Sequence, residues 1–169
     1  MGKLHSSFDK MKFMKTLLIF SLISIGLSFY SPSVTMEFIN PTGTYILKGT
    51  IDKNRIMGHS GELRVKLLGR AKVAMSFYIN KGYPGYESGS FMDTVAYVDN
   101  LAKYVPAADP GCTIIFSFTY RDAELRQTFS NPQSGCGFGN GVMTAALFHK
   151  SSDENPIIQD LSLHGIGAQ

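Results

Sequence analysis

The run Cys112-Thr-Ile-Ile-Phe-Ser-Phe-Thr-Tyr120 constrains the fold of this 169-residue chain more than any other stretch. Side chains of an extended strand point alternately to its two faces. Cys112, Ile114, Phe116, Phe118 and Tyr120 therefore share one face, and Thr113, Ser117 and Thr119 the other, with Ile115 the exception. The aromatic face is the expected core face. The same period recurs upstream. Leu63, Val65 and Leu67 alternate with Glu62, Arg64 and Lys66, and Val73, Met75, Phe77 and Ile79 alternate with Lys72, Ala74, Ser76 and Tyr78. Gly69-Arg70-Ala71 between these runs is short enough for a hairpin.

Weaker alternating runs cover residues 44–51, 91–99, 102–105, 124–129 and 142–149. Together these make about eight strands in about 108 residues, the spacing of an all-β barrel or sandwich. No amphipathic helical period is found after the leader. A closed, eight-stranded antiparallel up-and-down barrel is expected, because closure removes exposed edges and eight strands enclose a core that side chains can fill. A β-sandwich is the alternative. The expected organisation is a leader over 1–28, a linker over 29–41 that carries Pro32 and Pro41, the barrel over 42–150 and a C-terminal tail over 151–169. The tail should lie outside the barrel.

The leader carries a short apolar run, Thr16 to Leu27, behind the basic stretch Lys10 to Lys15. That order is the secretory pattern, and the run is short against the roughly 20 apolar residues that span a bilayer. Cleavage is expected between about residues 28 and 35, giving a periplasmic or secreted protein. No cysteine follows the apolar run, which excludes lipidation there. The leader holds Lys3, Lys10, Lys12 and Lys15 against Asp9 alone, while from Met36 onward 12 Lys/Arg meet 12 Asp/Glu. A neutral mature domain gives no electrostatic reason to bind a phosphate backbone, so no nucleic-acid partner is expected.

Cys112 and Cys136 are the only cysteines. An even pair in an exported chain points to a disulfide. It would close a loop of about 25 residues and stabilise by roughly 3 kcal/mol in the chain-entropy model. Two free core thiols, or a metal pair, are the competing readings; zinc would need two further ligands, and His59 and His149 lack supporting spacing.

No catalytic motif emerges. Gly58-His59-Ser60-Gly61 sets His beside Ser but lacks the Gly-x-Ser-x-Gly spacing of a nucleophile elbow, and reads as a turn with a polar tip. Pairing of Cys112 with Cys136 would remove both thiolate candidates. Gly137-Phe-Gly-Asn-Gly141 resembles a phosphate loop in glycine content only, with no Lys-Ser/Thr after it; its expected job is a tight bend needing positive φ. The segment from Asn80 to Ser90 is more informative. It is long for a loop in a small β domain, and such loops often carry function. Tyr83 and Tyr86 combine large apolar area with a polar tip and few rotamers, which suits recognition. Glu87 and Ser88 add hydrogen-bonding groups, as does Ser90. The competing reading has these tyrosines packing over the barrel end.

The spacing of Gly43-x-Tyr45, Gly61, Phe77, Gly89, Ala102-x-Tyr104, Cys112-x-Ile-x-Phe116-x-Phe118 and Cys136-Gly137 resembles that of small exported bacterial β-barrel domains found among, and beside, periplasmic lysozyme inhibitors. The likeness covers about residues 42–150. It implies an eight-stranded antiparallel barrel. Some such inhibitors insert a Ser-Gly-x-x-Tyr loop into the lysozyme cleft. The nearest match here is Ser134-Gly-Cys-Gly-Phe138, with Phe in place of Tyr, and Ser88-Gly89 is a partial match. Phe138 thereby joins Tyr83, Tyr86, Glu87 and Ser88 as a candidate partner contact. The expectation is an exported, non-catalytic protein without cofactor or metal. It would bind a protein or cell-envelope ligand and keep no stable membrane anchor after cleavage. Its most concrete version is a lysozyme inhibitor or related periplasmic immunity protein. The alternative is a lipocalin-like carrier of a small apolar ligand, against which the bulk of Met75, Phe77, Phe116 and Phe118 argues.

Overall fold

A computed structural model describes residues 36–130, 135–139, 142 and 145–162. The expected leader and the first part of the expected linker lie outside the described residues, as do Ser134 and the end of the tail. Ten strands are described: β1 (Gly43–Leu47), β2 (Thr50–Asp52), β3 (Arg55–Met57), β4 (Ser60–Leu67), β5 (Lys72–Asn80), β6 (Ser88–Val98), β7 (Leu101–Tyr104), β8 (Cys112–Phe118), β9 (Asp122–Phe129) and β10 (Ala145–Ser152). Eight of them close an antiparallel barrel in the order β1-β4-β5-β6-β7-β8-β9-β10, with β10 returning to β1. The expected up-and-down barrel is thus the observed fold. β2 and β3 form a separate hairpin that leaves the wall between β1 and β4.

Inward alternation accounts for the core. Leu63, Val65, Val73, Met75, Phe77, Ile79, Ile114, Phe116, Leu125 and Phe148 are fully buried. Phe77 stands at the centre, with ring contacts to Phe91, Phe116, Phe138 and Phe148 at centroid distances of 5.2–6.0 Å. Tight turns set the register. Lys53 with Asn54, and Asp99 with Asn100, hold positive φ in pairs, the signature of two-residue type I′ hairpins.

Four expectations need correction. The run over 44–51 is two strands, broken at Lys48-Gly49. Tyr120 is 61% exposed, because β8 ends at Phe118 and Thr119 turns the chain, its hydroxyl accepting from the Arg121 and Asp122 N–H groups. The last strand runs from Ala145 to Ser152, not over 142–149. The end of the expected linker is clamped. The Asn100 side chain accepts from Ile39 N–H and donates to the Glu37 carbonyl, the Tyr97 hydroxyl donates to the Ile39 carbonyl, and the Tyr45 hydroxyl donates to the Pro41 carbonyl. Residues 36–41 therefore belong to the barrel. Of the expected tail, Ser151 and Ser152 belong to β10, whereas the stretch around Ile157 and Gln159 lies on the outside: Gln159 N–H donates to the Ser76 hydroxyl and Arg64 donates to the Ile157 carbonyl. That contact explains why Ser76, on the outward row of β5, is fully buried.

The two clamping phenols give the barrel an alkaline limit. Burial pushes Tyr97 up to about 12 and raises Tyr45 further. Each fold-held pKa lies above the unfolded value of about 10, so the native state holds these protons more tightly. Their contribution is fully present below about pH 10 and is lost as pH rises toward 12. Urea unfolding at stepped pH is expected to show stability falling across that window. Tyr97→Phe should flatten the fall; an unchanged slope in Tyr97→Phe would remove Tyr97 from the account.

Candidate functional site: the tyrosine-bearing end of the barrel

The β5–β6 connection, the β2–β3 hairpin and the Cys136–Gly139 segment gather at one end of the barrel. β5 extends to Asn80 and β6 begins at Ser88, so the expected loop from Asn80 to Ser90 shortens to residues 81–87. Its frame is local. Asn80 accepts from Gly82 N–H and donates to the Tyr86 carbonyl, and Tyr86 N–H donates to the Gly82 carbonyl at 2.8 Å. Lys81 pairs with Glu87, and the ammonium holds the Glu87 carboxyl below the usual carboxylate range.

This loop is seated on the hairpin. Tyr83 N–H donates to the Ile56 carbonyl at 2.8 Å, and Arg55 lies over the Tyr83 ring at 4.3 Å. Gly82 makes the seating possible. It holds a φ of 74°, and a Cβ there would overlap the carbonyl oxygens of Ile56 and Gly58. Tyr83 and Tyr86 meet edge to face at 6.4 Å, yet remain 40% and 45% exposed. The structure thus brings Tyr83, Tyr86, Glu87 and Ser88 together on one surface, with both rings held by their backbones and still open to solvent.

Phe138 is placed differently. It is half-buried, its ring stacked 6.0 Å from Phe77 and lying directly over Gly89, where any Cβ would overlap it. Cys136 is bonded to Cys112, with Cα atoms 5.2 Å apart. Gly135 and Cys136 N–H groups both donate to the Asp109 carboxylate at 2.9 Å. Positive φ falls at Cys136 and Gly137, which makes this stretch the expected tight bend. The bend turns Phe138 toward the core, where its main contacts are.

Sequence reasoning misses Arg55 and Asp109 as organisers of this end. Asn54, a residue that tolerates left-handed backbone, is the available signal for the hairpin that presents Arg55. No local signal links Asp109 to residues 135 and 136.

Elsewhere, His149 Nδ1 lies 2.7 Å from Asp122 in a surface cleft of about 510 Å³ that includes Tyr120, Lys150 and Ser151. The Ser151 hydroxyl donates to the Thr44 carbonyl, so it is not held by His149. Ser60, beside His59, is buried at the start of β4 rather than displayed on a turn. Among the described residues no three His, Cys, Asp or Glu side chains gather as a metal site. No protein-family model, curated protein or solved structure matches this chain.

Proposed function

We propose that the protein is an exported, non-catalytic binding protein that recognises a protein partner through the tyrosine-bearing end of its barrel. The observation that carries this reading is the exposed Tyr83–Tyr86 pair on a loop held by backbone hydrogen bonds. Aromatic anchors that are ordered before binding lose little entropy on contact. The filled interior favours surface recognition over carriage of an apolar ligand. The disulfide is consistent with an oxidising, exported location. Together with the barrel and the glycine, aromatic and cysteine spacing that resembles periplasmic inhibitors, these features favour a lysozyme inhibitor or related periplasmic immunity protein as the first version to test.

The test is a binding titration of the oxidised protein against immobilised lysozymes. Tyr83→Ala or Tyr86→Ala should weaken binding about 30-fold, the equivalent of about 2 kcal/mol for a buried aromatic anchor. Melting temperature should change little for Tyr86→Ala. For Tyr83→Ala a small fall is expected from the lost Arg55 contact. Lost stability with unchanged binding would assign the tyrosines to packing. Absence of binding to every lysozyme would remove the inhibitor version.

A further inference from the structure

Among the described residues, part of one wall strand is paired on one side only. β6 pairs with β5 from Ser88 to Ala96, but with β7 only at Tyr97 and Val98. β7 ends at Tyr104, and the chain leaves the wall at Val105 and Pro106. Among the described residues, the middle of β6 is therefore paired with β5 alone. Asp93 supports this independently. It lies opposite the fully buried Met75, at an inward position, yet it is exposed.

The register fixes which backbone groups face the opening. In an antiparallel hairpin closed by two residues, the pair flanking the turn exchanges hydrogen bonds, and every second residue then points the same way. Asp99 and Asn100 are those two residues, so Val98, and with it Ala96, Thr94, Met92 and Ser90, directs N–H and C=O away from β5. Two local bonds agree. Tyr97 N–H donates toward β5, to the Ala71 carbonyl, and the Ser88 carbonyl accepts from Gly139 N–H on the open side. Thr94 N–H is capped by the Asp93 carboxylate at 2.7 Å. Ser90 and Met92 have no hydrogen-bond partner on that side among the described residues. Inside the wall, the Phe91 and Tyr104 rings stack at 3.9 Å across the gap.

We propose that this open stretch of β6 is a strand-addition site for an extended segment of the protein partner. The inference rests on the reading that the barrel binds a protein, and it names how that protein is held. Loop 81–87 runs directly into β6, so the tyrosine surface and the open edge are continuous. The surroundings define the segment. Met92, Leu101 and Val105 are 56%, 42% and 42% exposed on the outer face, which suits apolar side chains at alternate positions. Lys103 is exposed and has no ion pair among the described residues, which calls for a carboxylate. A second copy of the barrel is a poor occupant, because the unpaired side of β6 lies within the wall, with β5 on one side and β7 starting from the same strand end on the other, rather than at a free outer edge. Main-chain bonding would supply affinity and the alternate side chains specificity.

The probe is a fluorescein-labelled peptide of alternating Val and Thr with one central Glu, titrated against the full oxidised chain. Amide exchange is followed at Ser90 and Met92. Binding should slow both amides about tenfold or more at saturation. Met92→Pro should weaken binding about tenfold or more, since it removes a donor that β5 does not use. Lys103→Glu should weaken it too. Methylating alternate peptide nitrogens, which leaves the protein untouched, should abolish binding. Failure of the peptide to bind, unchanged exchange on β6, or equal binding of the methylated peptide would each overturn the proposal. Tyr86→Ala in the lysozyme titration separates the two readings. A large loss there with β6 unprotected by the peptide keeps the tyrosine surface and removes the edge. Protection of β6 with Tyr86→Ala neutral keeps the edge and removes the tyrosines.

Discussion

Phe77→Ala is expected to destabilise the barrel by about 3–5 kcal/mol, the range for truncating a fully buried aromatic. Phe77 has no exposed surface, and four other phenylalanine rings touch it. These rings come from β6, β8, β10 and the segment after Cys136, so no single element can collapse into the space. A cavity term should therefore add to the lost transfer energy and place the cost in the upper half of that range. Against a typical total of about 5–15 kcal/mol, the variant should be partly unfolded at physiological temperature. Urea unfolding with an unchanged slope is the measurement. Leu147→Ala is the control: Leu147 is 45% exposed on the outer face of β10, and its loss should cost about 0.5 kcal/mol or less. A cost for Phe77→Ala no larger than the control would mean that the core is not organised around this ring.

The inward position of Phe77 is legible in the sequence, because strand parity is a local property. The inward sets of β4, β5 and β8 follow from alternation alone, the approximate number of wall strands follows from their spacing, and closure is favoured over a sandwich by the cost of exposed edges. Local pattern cannot supply contacts between distant segments. Residues 36–41 read as a linker, since nothing in Glu37-Phe-Ile-Asn-Pro41 reveals that Asn100 and Tyr97 hydrogen-bond its backbone. The β2–β3 hairpin escapes a sequence reading because its turn uses Lys53, which carries no turn signal, beside Asn54. Tyr83 and Tyr86 stand out by residue type, but their fixed position comes from Gly82 and Ile56. Phe138 reads as a partner contact because Ser134-Gly-Cys-Gly-Phe138 resembles an inhibitor loop. Its seat exists because Gly89, on a different strand, lacks a Cβ.

The same seat makes the disulfide the second large lever on stability. Cys136→Ser is expected to cost about 2–5 kcal/mol, as for removal of a native disulfide from a small domain. The bond joins the start of β8 to the segment that carries Phe138 over the barrel mouth, and both cysteines are buried. Loss of the cross-link frees the unfolded chain, and in the folded state it leaves that segment held by Asp109 and by the bond from Gly139 N–H to the Ser88 carbonyl. Phe138→Ala alone should also destabilise, through the lost contact with Phe77. If the disulfide serves to keep Phe138 seated, the two changes should be less than additive, because a released segment has already lost part of the ring contact. A double-mutant cycle in urea reads this coupling, expected at about 0.5 kcal/mol or more for groups sharing one structural unit. Reduced wild-type protein should match the cysteine variants within error. Strict additivity would mean that the cross-link acts on the unfolded chain alone and that Phe138 finds its seat without it. Binding through Tyr83 and Tyr86 should survive Phe138→Ala, since their loop is framed by Asn80, Gly82 and Ile56 rather than by the disulfide-bonded segment.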